Sequence, residues 1–285
     1  MFENSTTFTA FWCPAMMWVW LNGQLCRAEA AHVPLTDRGL TLGDGLFETI
    51  RVYKGQPLRM ASHARRLQAG GQILGLPVPD QASMHGMAAE LVAVNKVHNG
   101  SLRLTVTRGS GPRGLLPPAQ VQPTVFMTAS PGMPTYKAVT LITSRLVRQD
   151  EQSVLCGIKT LNYLPFIVAR QEAARCGAEE ALILNTQGRV AETTISTVIV
   201  QQGGALLTPA SKEGALLGVA RGLLLQTGIA HEACIDPTQL MQAEAVYLVN
   251  SLGLRTVSAC DGTSLAQNLA KLPQLAAALA LEEFL

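Results

Sequence analysis

Two-residue turns that follow short apolar runs restrict the fold of this chain more than any other feature. The turns are Asn22-Gly23, Lys54-Gly55 and Gly203-Gly204. Turns of this kind connect neighbouring antiparallel strands, whereas parallel strands need a long crossover. Helical patterns lie between the strand pairs. We therefore predict an α+β (α/β) protein with mostly antiparallel or mixed sheets, not a doubly wound fold.

The apolar periodicity divides the chain into two halves around a segment without periodicity. That segment, 130–137, holds two prolines and a glycine and is typical of a linker. We expect a small α/β domain over 16–129 and a larger one over 138–285, preceded by an extension over 1–15. Strands are predicted over 18–21, 46–53, 57–60, 102–107, 123–128, 139–143, 180–184, 196–201, 205–208 and 245–249, and helices over 61–73, 81–97, 165–176, 219–226 and 265–281.

Composition excludes several classes of protein. Hydrophobic residues make up 48% of the 285 residues, charged residues 15%, and the net charge is +2. These values do not favour disorder, nucleic-acid binding or a membrane surface. The six cysteines form no C-x-x-C pair and the histidines have no ligand spacing, so we expect no metal site and reduced thiols in a cytoplasmic protein. The apolar stretch 9–21 has no preceding Lys or Arg and contains Pro14, unlike a signal peptide.

Lys159 has the most apolar surroundings of the six lysines. Burial lowers the pKa of an ammonium group, which frees the amine to form a Schiff base. The same context also fits a lysine at a strand end whose side chain reaches water. The residue alone therefore leaves both interpretations open.

Glu192 is a second unusual charge, because it lies between a turn and a very apolar strand. A buried carboxylate needs a cation. The protonated ring nitrogen of pyridoxal phosphate would be such a cation, and an arginine side chain would be another. Both interpretations of Glu192 stay open from the residue alone.

Candidate anion sites occur at several places in the chain. Arg66 offers a guanidinium, the glycine turn at 214–218 offers the amides of a helix start, and Asn250-Ser251 offers a hydroxyl and further amides. The loop 107–114 carries Arg108 and Arg113, whose guanidinium groups suit a substrate carboxylate. Solvated loop arginines would give the same pattern.

Taken together and in this order, the motifs resemble the class IV aminotransferase family, the fold-type IV pyridoxal-phosphate enzymes. The resemblance runs from about Trp18 to Gly262. The motifs are 37–40 (DRGL), 43–49 (GDGLFET), 63–67 (HARRL), 158–163 (IKTLNY), 177–182 (GAEEAL), 192–194 (ETT), 207–209 (LTP) and 218–221 (GVAR). The resemblance implies a small α/β sandwich plus a larger barrel-like α/β domain, with pyridoxal 5'-phosphate between them.

The resemblance also implies roles for individual residues. Lys159 matches the Schiff-base lysine, which moves a proton between substrate and cofactor. Glu192 matches the partner of the pyridine nitrogen, and Arg66 matches the phosphate-binding arginine. The other residues matched to the cofactor site are Tyr163, Val219, Ala220, Asn250 and Ser251. Two positions depart from the family pattern: Ala220 stands where threonine is usual, and Thr197 stands where asparagine is common. We therefore expect the cofactor to be bound modestly more weakly.

The reaction is predicted from short loops. The segments 108–114 (RGSGPRG) and 250–252 (NSL) resemble those of aminodeoxychorismate lyases, which convert 4-amino-4-deoxychorismate to 4-aminobenzoate and pyruvate for folate biosynthesis. D-amino acid aminotransferases share an arginine at Arg113 but follow it with histidine where this chain has Leu115. Branched-chain enzymes carry a different, glycine-rich loop. We therefore predict the lyase, with Arg108 and Arg113 contacting substrate, and a transaminase of D-amino or branched-chain amino acids as the alternative.

A third interpretation is a non-catalytic relative that binds a ligand. It rests only on Ala220 and Thr197, and the presence of both Lys159 and Glu192 argues against it. The resemblance implies a homodimer in which the partner chain helps to line the site. We expect a small carboxylate or amino-acid-like substrate and neither a nucleic-acid nor a membrane partner.

Overall fold

The computed structural model describes residues 17–132 and 137–281. The predicted extension over 1–15 lies outside the described residues, as does the middle of the predicted linker over 130–137. The helices within the described ranges include none that is long and apolar enough to cross a membrane. The five cysteines in those ranges are free thiols.

The first part of the chain forms a six-stranded sheet. Every neighbouring pair in it runs antiparallel, in the order β2-β1-β6-β5-β3-β4. The strands are β1 (Trp18–Leu21), β2 (Gln24–Arg27), β3 (Gly45–Tyr53), β4 (Gln56–Pro57), β5 (Gly100–Thr107) and β6 (Thr124–Pro131). A short helix α1 (Arg38–Leu42) precedes β3, and α2 (Met60–Leu74) and α3 (Gln81–Val94) pack on the sheet. Their apolar faces form one core with residues such as Ile50 and Leu102 of the strands.

The second part forms a nine-stranded mixed sheet in the order β12-β11-β10-β13-β14-β7-β8-β9, with β15 beside β14. Its strands are β7 (Val139–Gln149), β8 (Glu180–Asn185), β9 (Val190–Thr193), β10 (Thr197–Gln202), β11 (Ala205–Pro209), β12 (His231–Ala233), β13 (Ala245–Val249), β14 (Leu254–Cys260) and β15 (Thr263–Ser264). Strand β9 also contacts β10 and β11, so the sheet curls back on itself as a half-barrel. Buried aliphatic side chains such as Val198 and Leu248 form one core of this sheet.

Among the described residues of this second part, the α-helices are α4 (Leu164–Arg175), α5 (Val219–Gln226), α6 (Pro237–Met241) and α7 (Leu272–Ala278). Helix α4 packs on β7 and β8, and α5 packs on α7 over a separate apolar cluster. The predicted α/β organisation with antiparallel and mixed sheets is confirmed. Helix α5 and strand β13 have the predicted bounds.

Three of the differences from the predicted bounds have identifiable structural reasons. The predicted strand over 57–60 is short, because Arg59 adopts φ +56° and α2 begins at Met60. The predicted helix over 265–281 is reduced to α7, because the amide of Leu265 and the side chain of Gln267 bond to β14. Strand β6 continues through Pro131, so the predicted linker begins within a strand.

The two sheets meet where the segment after β7 runs along β3. The amide of Phe47 donates to the carbonyl of Lys159 at 3.0 Å, and the amide of Leu161 donates to the carbonyl of Gly45 at 3.0 Å. A Cβ atom at Gly45 would lie 2.7 Å from Leu161 Cδ1 and 2.6 Å from the carbonyl oxygen of Val106. Glycine is therefore required for this close approach, and the approach fixes the backbone of Lys159 at the junction.

Candidate active site

Lys159 projects from the junction segment between two aromatic rings. Its Nζ donates a hydrogen bond to Tyr163 Oη at 2.6 Å and lies 4.4 Å from the centre of the Phe47 ring. Burial and the nearby charge of Arg66 lower the pKa of Lys159 from 10.5 to about 8. The amine is therefore accessible as a nucleophile much nearer to neutral pH than that of an ordinary lysine.

Glu192 lies on β9 with its carboxylate buried, 7% of the residue being exposed. The amide of Leu216 donates to its Oε2 at 3.3 Å. Among the described residues no arginine pairs with this carboxylate. Burial raises the pKa of Glu192 from 4.5 to about 7, although that amide and Lys159 act in the opposite direction. The carboxylate therefore suits a cationic ligand group.

Arg66 is held by a buried acid on the neighbouring strand. Its Nε and Nη2 donate to the two oxygens of Glu48, at 2.8 and 2.5 Å, and Nδ1 of His63 lies 2.7 Å from the same carboxylate. Burial opposes the charge on Glu48, but Arg66 and His63 outweigh it and lower the pKa of Glu48 from 4.5 to about 2. The remaining nitrogen, Nη1, lies 3.3 Å from the carbonyl of Leu217. Arg66 is thus fixed beside the start of α5.

Helix α5 begins at the same place with free backbone amides. Gly218 is its N-cap and provides no side-chain cap, and the first bond within the helix runs from Gly222 to the carbonyl of Gly218. The amides of Val219 and Ala220 therefore have no partner within the helix. Together with Arg66 they form a site for an anion.

Asn250 and Ser251 follow β13 and form the adjacent turn. Asn250 Oδ1 accepts from the amides of Leu252 and Gly253, at 2.9 and 3.0 Å, and its Nδ2 donates to Ser196 Oγ at 3.2 Å. The asparagine side chain is therefore used to shape the turn. Ser251 lines the same cavity as Arg66, Val219 and Ala220.

One cavity of about 690 Å³ joins these groups. All eight residues predicted from the sequence for the cofactor line it: Arg66, Lys159, Tyr163, Glu192, Val219, Ala220, Asn250 and Ser251. An amine, a buried acid and an anion site thus share one enclosure. In size, the cavity falls within the usual range of about 300–1,000 Å³ for small-molecule sites.

The two arginines predicted to contact substrate lie outside the lining of this cavity. Arg108 is buried, pairs with Asp44 at 2.8 Å, and donates to the carbonyls of Leu74 and Gly75 at 2.8 and 3.0 Å. Its guanidinium therefore anchors the loop in this chain. Because Nε, Nη1 and Nη2 all donate to protein oxygens, no pair of N–H groups is left to bind a substrate carboxylate. Arg113 is exposed at the tip of the same loop.

Arg103 lines the cavity and was missed by the sequence analysis. Its guanidinium lies 3.7 Å from the centre of the Phe47 ring. In the described part of the chain, no carboxylate pairs with it and no oxygen accepts a hydrogen bond from it. The signal was present in the sequence, since Arg103 stands in β5 between the buried residues Leu102 and Leu104 and so faces away from the core.

Comparisons with known proteins agree with this geometry. The family described as "Amino-transferase class IV" matches residues 45–260. The D-alanine aminotransferase of Bacillus licheniformis is 30% identical over 262 residues, which cover 87% of this chain and 90% of that protein. The crystal structure of 4-amino-4-deoxychorismate lyase from Pseudomonas aeruginosa is 32% identical, with a TM-score of 0.78 over 91% of this chain and 98% of that one. The branched-chain aminotransferase from Thermoproteus uzoniensis is 27% identical, with a TM-score of 0.85 over 94% and 96%.

The residues of the cavity fit the cofactor that the family uses. Pyridoxal phosphate needs an amine for its aldehyde, an acid for its ring nitrogen and donors for its phosphate. Lys159 carries an amine of lowered pKa, Glu192 is a buried acid that lacks an arginine partner within the described ranges, and Arg66 lies beside free helix amides. The chain belongs to the class IV aminotransferase family, whose fold it shares, and its cofactor is pyridoxal 5'-phosphate.

Proposed function

We propose that the protein is a 4-amino-4-deoxychorismate lyase, which releases 4-aminobenzoate and pyruvate. The observation that carries the proposal is Arg103, a cation beside Lys159 that no acid neutralises within the described residues. The proposed substrate has both of its carboxylates away from the amine, and a guanidinium suits such a group. The resemblance of the loop 108–114 to those of the lyases supports the same reaction.

In this proposal each residue of the cavity has its own role. When bound, pyridoxal phosphate supplies an aldehyde that joins the substrate amine and a ring that withdraws electrons from the neighbouring carbon. Lys159 would hold the cofactor through its amine; once the substrate amine has taken its place, the freed Lys159 amine would remove the proton from the amine-bearing ring carbon of the substrate. Tyr163 orients the Lys159 amine by its hydrogen bond. Glu192 would hold the ring nitrogen, and Arg66 with the amides of Val219 and Ala220 and with Ser251 would hold the phosphate, while Asn250 shapes the turn that carries Ser251.

The proposed reaction balances without a second substrate. The carbon–hydrogen bond at the amine-bearing carbon breaks, and the bond from the ring to the enolpyruvyl oxygen breaks with it. The ring becomes aromatic, and the released enolpyruvate takes up a proton to give pyruvate. Because no amino acceptor is needed, the lyase needs no subsite for a 2-oxo acid.

A class IV transaminase is the second candidate. The 30% identity with a D-alanine aminotransferase over most of both chains favours it. Against it, this chain has Leu115 where the resemblance to D-amino acid enzymes requires a histidine. The two candidates differ in whether an amino acceptor is consumed.

One assay separates the two candidates. The protein loaded with pyridoxal phosphate is given enzymatically generated 4-amino-4-deoxychorismate, and 4-aminobenzoate is followed by its fluorescence. The lyase predicts rapid product formation without a 2-oxo acid, and no product from Lys159→Ala. Absence of product, together with transfer from D-alanine or a branched-chain amino acid to 2-oxoglutarate, would replace the lyase by the transaminase.

We further propose that a second copy of the chain completes the site. Arg113 lies on an exposed loop tip beside Leu115 and Leu116, which are 83% and 86% exposed. Exposed leucines next to one another are typical of a surface that another protein covers. In this arrangement, Arg113 contacts substrate in the cavity of the partner, whereas Arg108 holds the loop in position.

A further inference from the structure

Thr197 is a buried polar residue at the edge of the cavity. It is the first residue of β10, is 8% exposed and lines the cavity. Its strand neighbour across the sheet is Val249, the residue directly before Asn250 and Ser251. Within the described ranges, no hydrogen-bond partner is present for its hydroxyl.

The hydroxyl of Thr197 lies next to the start of α5. A Cβ atom at Gly218, the N-cap of that helix, would lie 3.1 Å from Thr197 Oγ1. Nη1 of Arg66 lies 3.3 Å from the carbonyl of Leu217, one residue earlier. A guanidinium, the free amides of a helix start and an unused hydroxyl therefore surround one point of the cavity.

We propose that the Thr197 hydroxyl donates a hydrogen bond to the phosphate of the bound cofactor. The inference rests on the proposed assignment of Arg66 and α5 to the phosphate end. Ala220 contributes only its backbone amide there, so the hydroxyl comes from the strand and not from the helix. A phosphate oxygen accepts such a bond readily, because it is charged and because Thr197, Val219 and Ala220 are buried.

The test compares binding of pyridoxal phosphate with binding of pyridoxal, which has no phosphate. Dissociation constants are measured by absorbance titration of the cofactor-free protein and of two variants, Thr197→Val and Thr197→Ser. Thr208→Val is the matched control, because Thr208 is a fully buried threonine of the adjacent strand β11 whose hydroxyl donates to the carbonyl of Val198. Melting temperatures are recorded for all of the variants.

We expect Thr197→Val to raise the dissociation constant for pyridoxal phosphate by about tenfold, which is the usual effect of losing one hydrogen bond to a charged group. Its affinity for pyridoxal should equal that of the parent, Thr197→Ser should retain tight binding of pyridoxal phosphate, and Thr208→Val should not change the ratio of the two constants. Equal weakening of both ligands, or of neither, would overturn the proposal. A parent protein that binds neither ligand would overturn the cofactor assignment itself, which is a different result.

Discussion

Lys159 and Tyr163 are joined by a hydrogen bond of 2.6 Å between the amine nitrogen and the phenol oxygen. Burial lowers the pKa of the lysine to about 8 and raises the pKa of the tyrosine above its ordinary value. The phenol therefore stays protonated throughout the range in which the amine changes charge. Tyr163 consequently acts as an acceptor for the ammonium and as a donor to the free amine.

Replacement of the amine tests the assignment of Lys159. Lys159→Ala should abolish the visible absorption band of the loaded protein and the covalent adduct that borohydride reduction traps, because it removes the amine. Mass spectrometry of the reduced protein locates the modified residue. Lys54→Ala is the control, since Lys54 lies in a hairpin turn and rests on the ring of Tyr53. An adduct that persists in Lys159→Ala would assign the cofactor to another lysine.

The pH dependence of cofactor capture follows from the same amine. Below its pKa of about 8 the nitrogen is an ammonium and cannot attack the aldehyde. The rate of covalent capture by cofactor-free protein should therefore rise with pH and level off above about 8. Stopped-flow absorbance measures this rate. A rate that keeps rising towards 10.5, the ordinary lysine value, would contradict the lowered pKa.

Glu192 should make the cofactor-free protein less stable at high pH. Its pKa is about 7 in the folded state against 4.5 for an ordinary glutamate. The folded state therefore holds a proton that the unfolded state has lost, and stability falls as pH rises from 4.5 to about 7. Glu192→Gln removes this cost, so it should raise the melting temperature of cofactor-free protein above pH 7 and leave it unchanged near pH 4.

The Glu192→Gln variant should bind pyridoxal phosphate but lose activity, because a neutral amide cannot hold a proton on the ring nitrogen.

Differential scanning calorimetry of the cofactor-free parent and of Glu192→Gln at several pH values measures the predicted difference in melting temperature. A melting temperature that is equally changed at every pH would show that Glu192 acts only through packing.

Glu48 should determine the position of Arg66. Glu48→Gln leaves a buried guanidinium without its counter-charge, and breaking such a pair costs about 3–5 kcal/mol. The free energy of unfolding should fall, and pyridoxal phosphate should bind more weakly. In the parent, the stabilisation by Glu48 is fully present above its unfolded pKa of 4.5 and is lost as pH falls towards about 2.

Urea unfolding of cofactor-free protein and absorbance titration measure the two effects. Glu179→Gln is the control for the loss of one negative charge, because Glu179 is a largely exposed acid that accepts from Thr140. Unchanged stability in Glu48→Gln would contradict the role assigned to the buried pair.

Arg113 should act across two copies of the chain. Arg113→Ala should raise KM for the carboxylate substrate by at least about tenfold, the effect of losing one charged hydrogen bond, and leave cofactor affinity unchanged. Lys159→Ala and Arg113→Ala are each impaired, but a mixed dimer contains one site with both native residues. Refolding the two variants together should therefore restore activity at low substrate concentration, with the KM of the parent, which neither variant shows alone, and no recovery would place Arg113 outside the partner's site.

Local pattern was enough to predict most of the strands and helices. Strand β13 has its predicted bounds because it is a sharply delimited apolar run, and helix α5 because it begins directly after Gly218 and ends just before Gly228, which has φ +68°. The end of the chain was less predictable, since a helical pattern over 265–281 competes with hydrogen bonds from Leu265 and Gln267 to β14. Those bonds are tertiary, and periodicity does not report them.

Residues that line the candidate site could be picked out from the sequence where one residue carries an unusual charge. Lys159 and Glu192 stand out because each interrupts an apolar run. Glu48 and Arg103 did not stand out, because a strand with alternating polar residues is ordinary. For Arg108 the loop motif was misleading. Its place in a glycine-rich loop suggested a substrate contact, whereas its guanidinium donates to Asp44 and to two backbone carbonyls.

Asp37 anchors both ends of the loop that carries Arg113. Its carboxylate accepts hydrogen bonds from the hydroxyls of Thr107 and Thr124, at 2.8 and 2.7 Å. Thr107 is the last residue of β5 and Thr124 the first residue of β6, so these two threonines mark the ends of the loop. The tip between them contributes little to the core, so substitutions there cost little stability. With the proposed role of Arg113 as a substrate contact, natural variation at the tip would alter substrate choice while the cofactor cavity stays intact, and one scaffold would give rise to enzymes with different reactions.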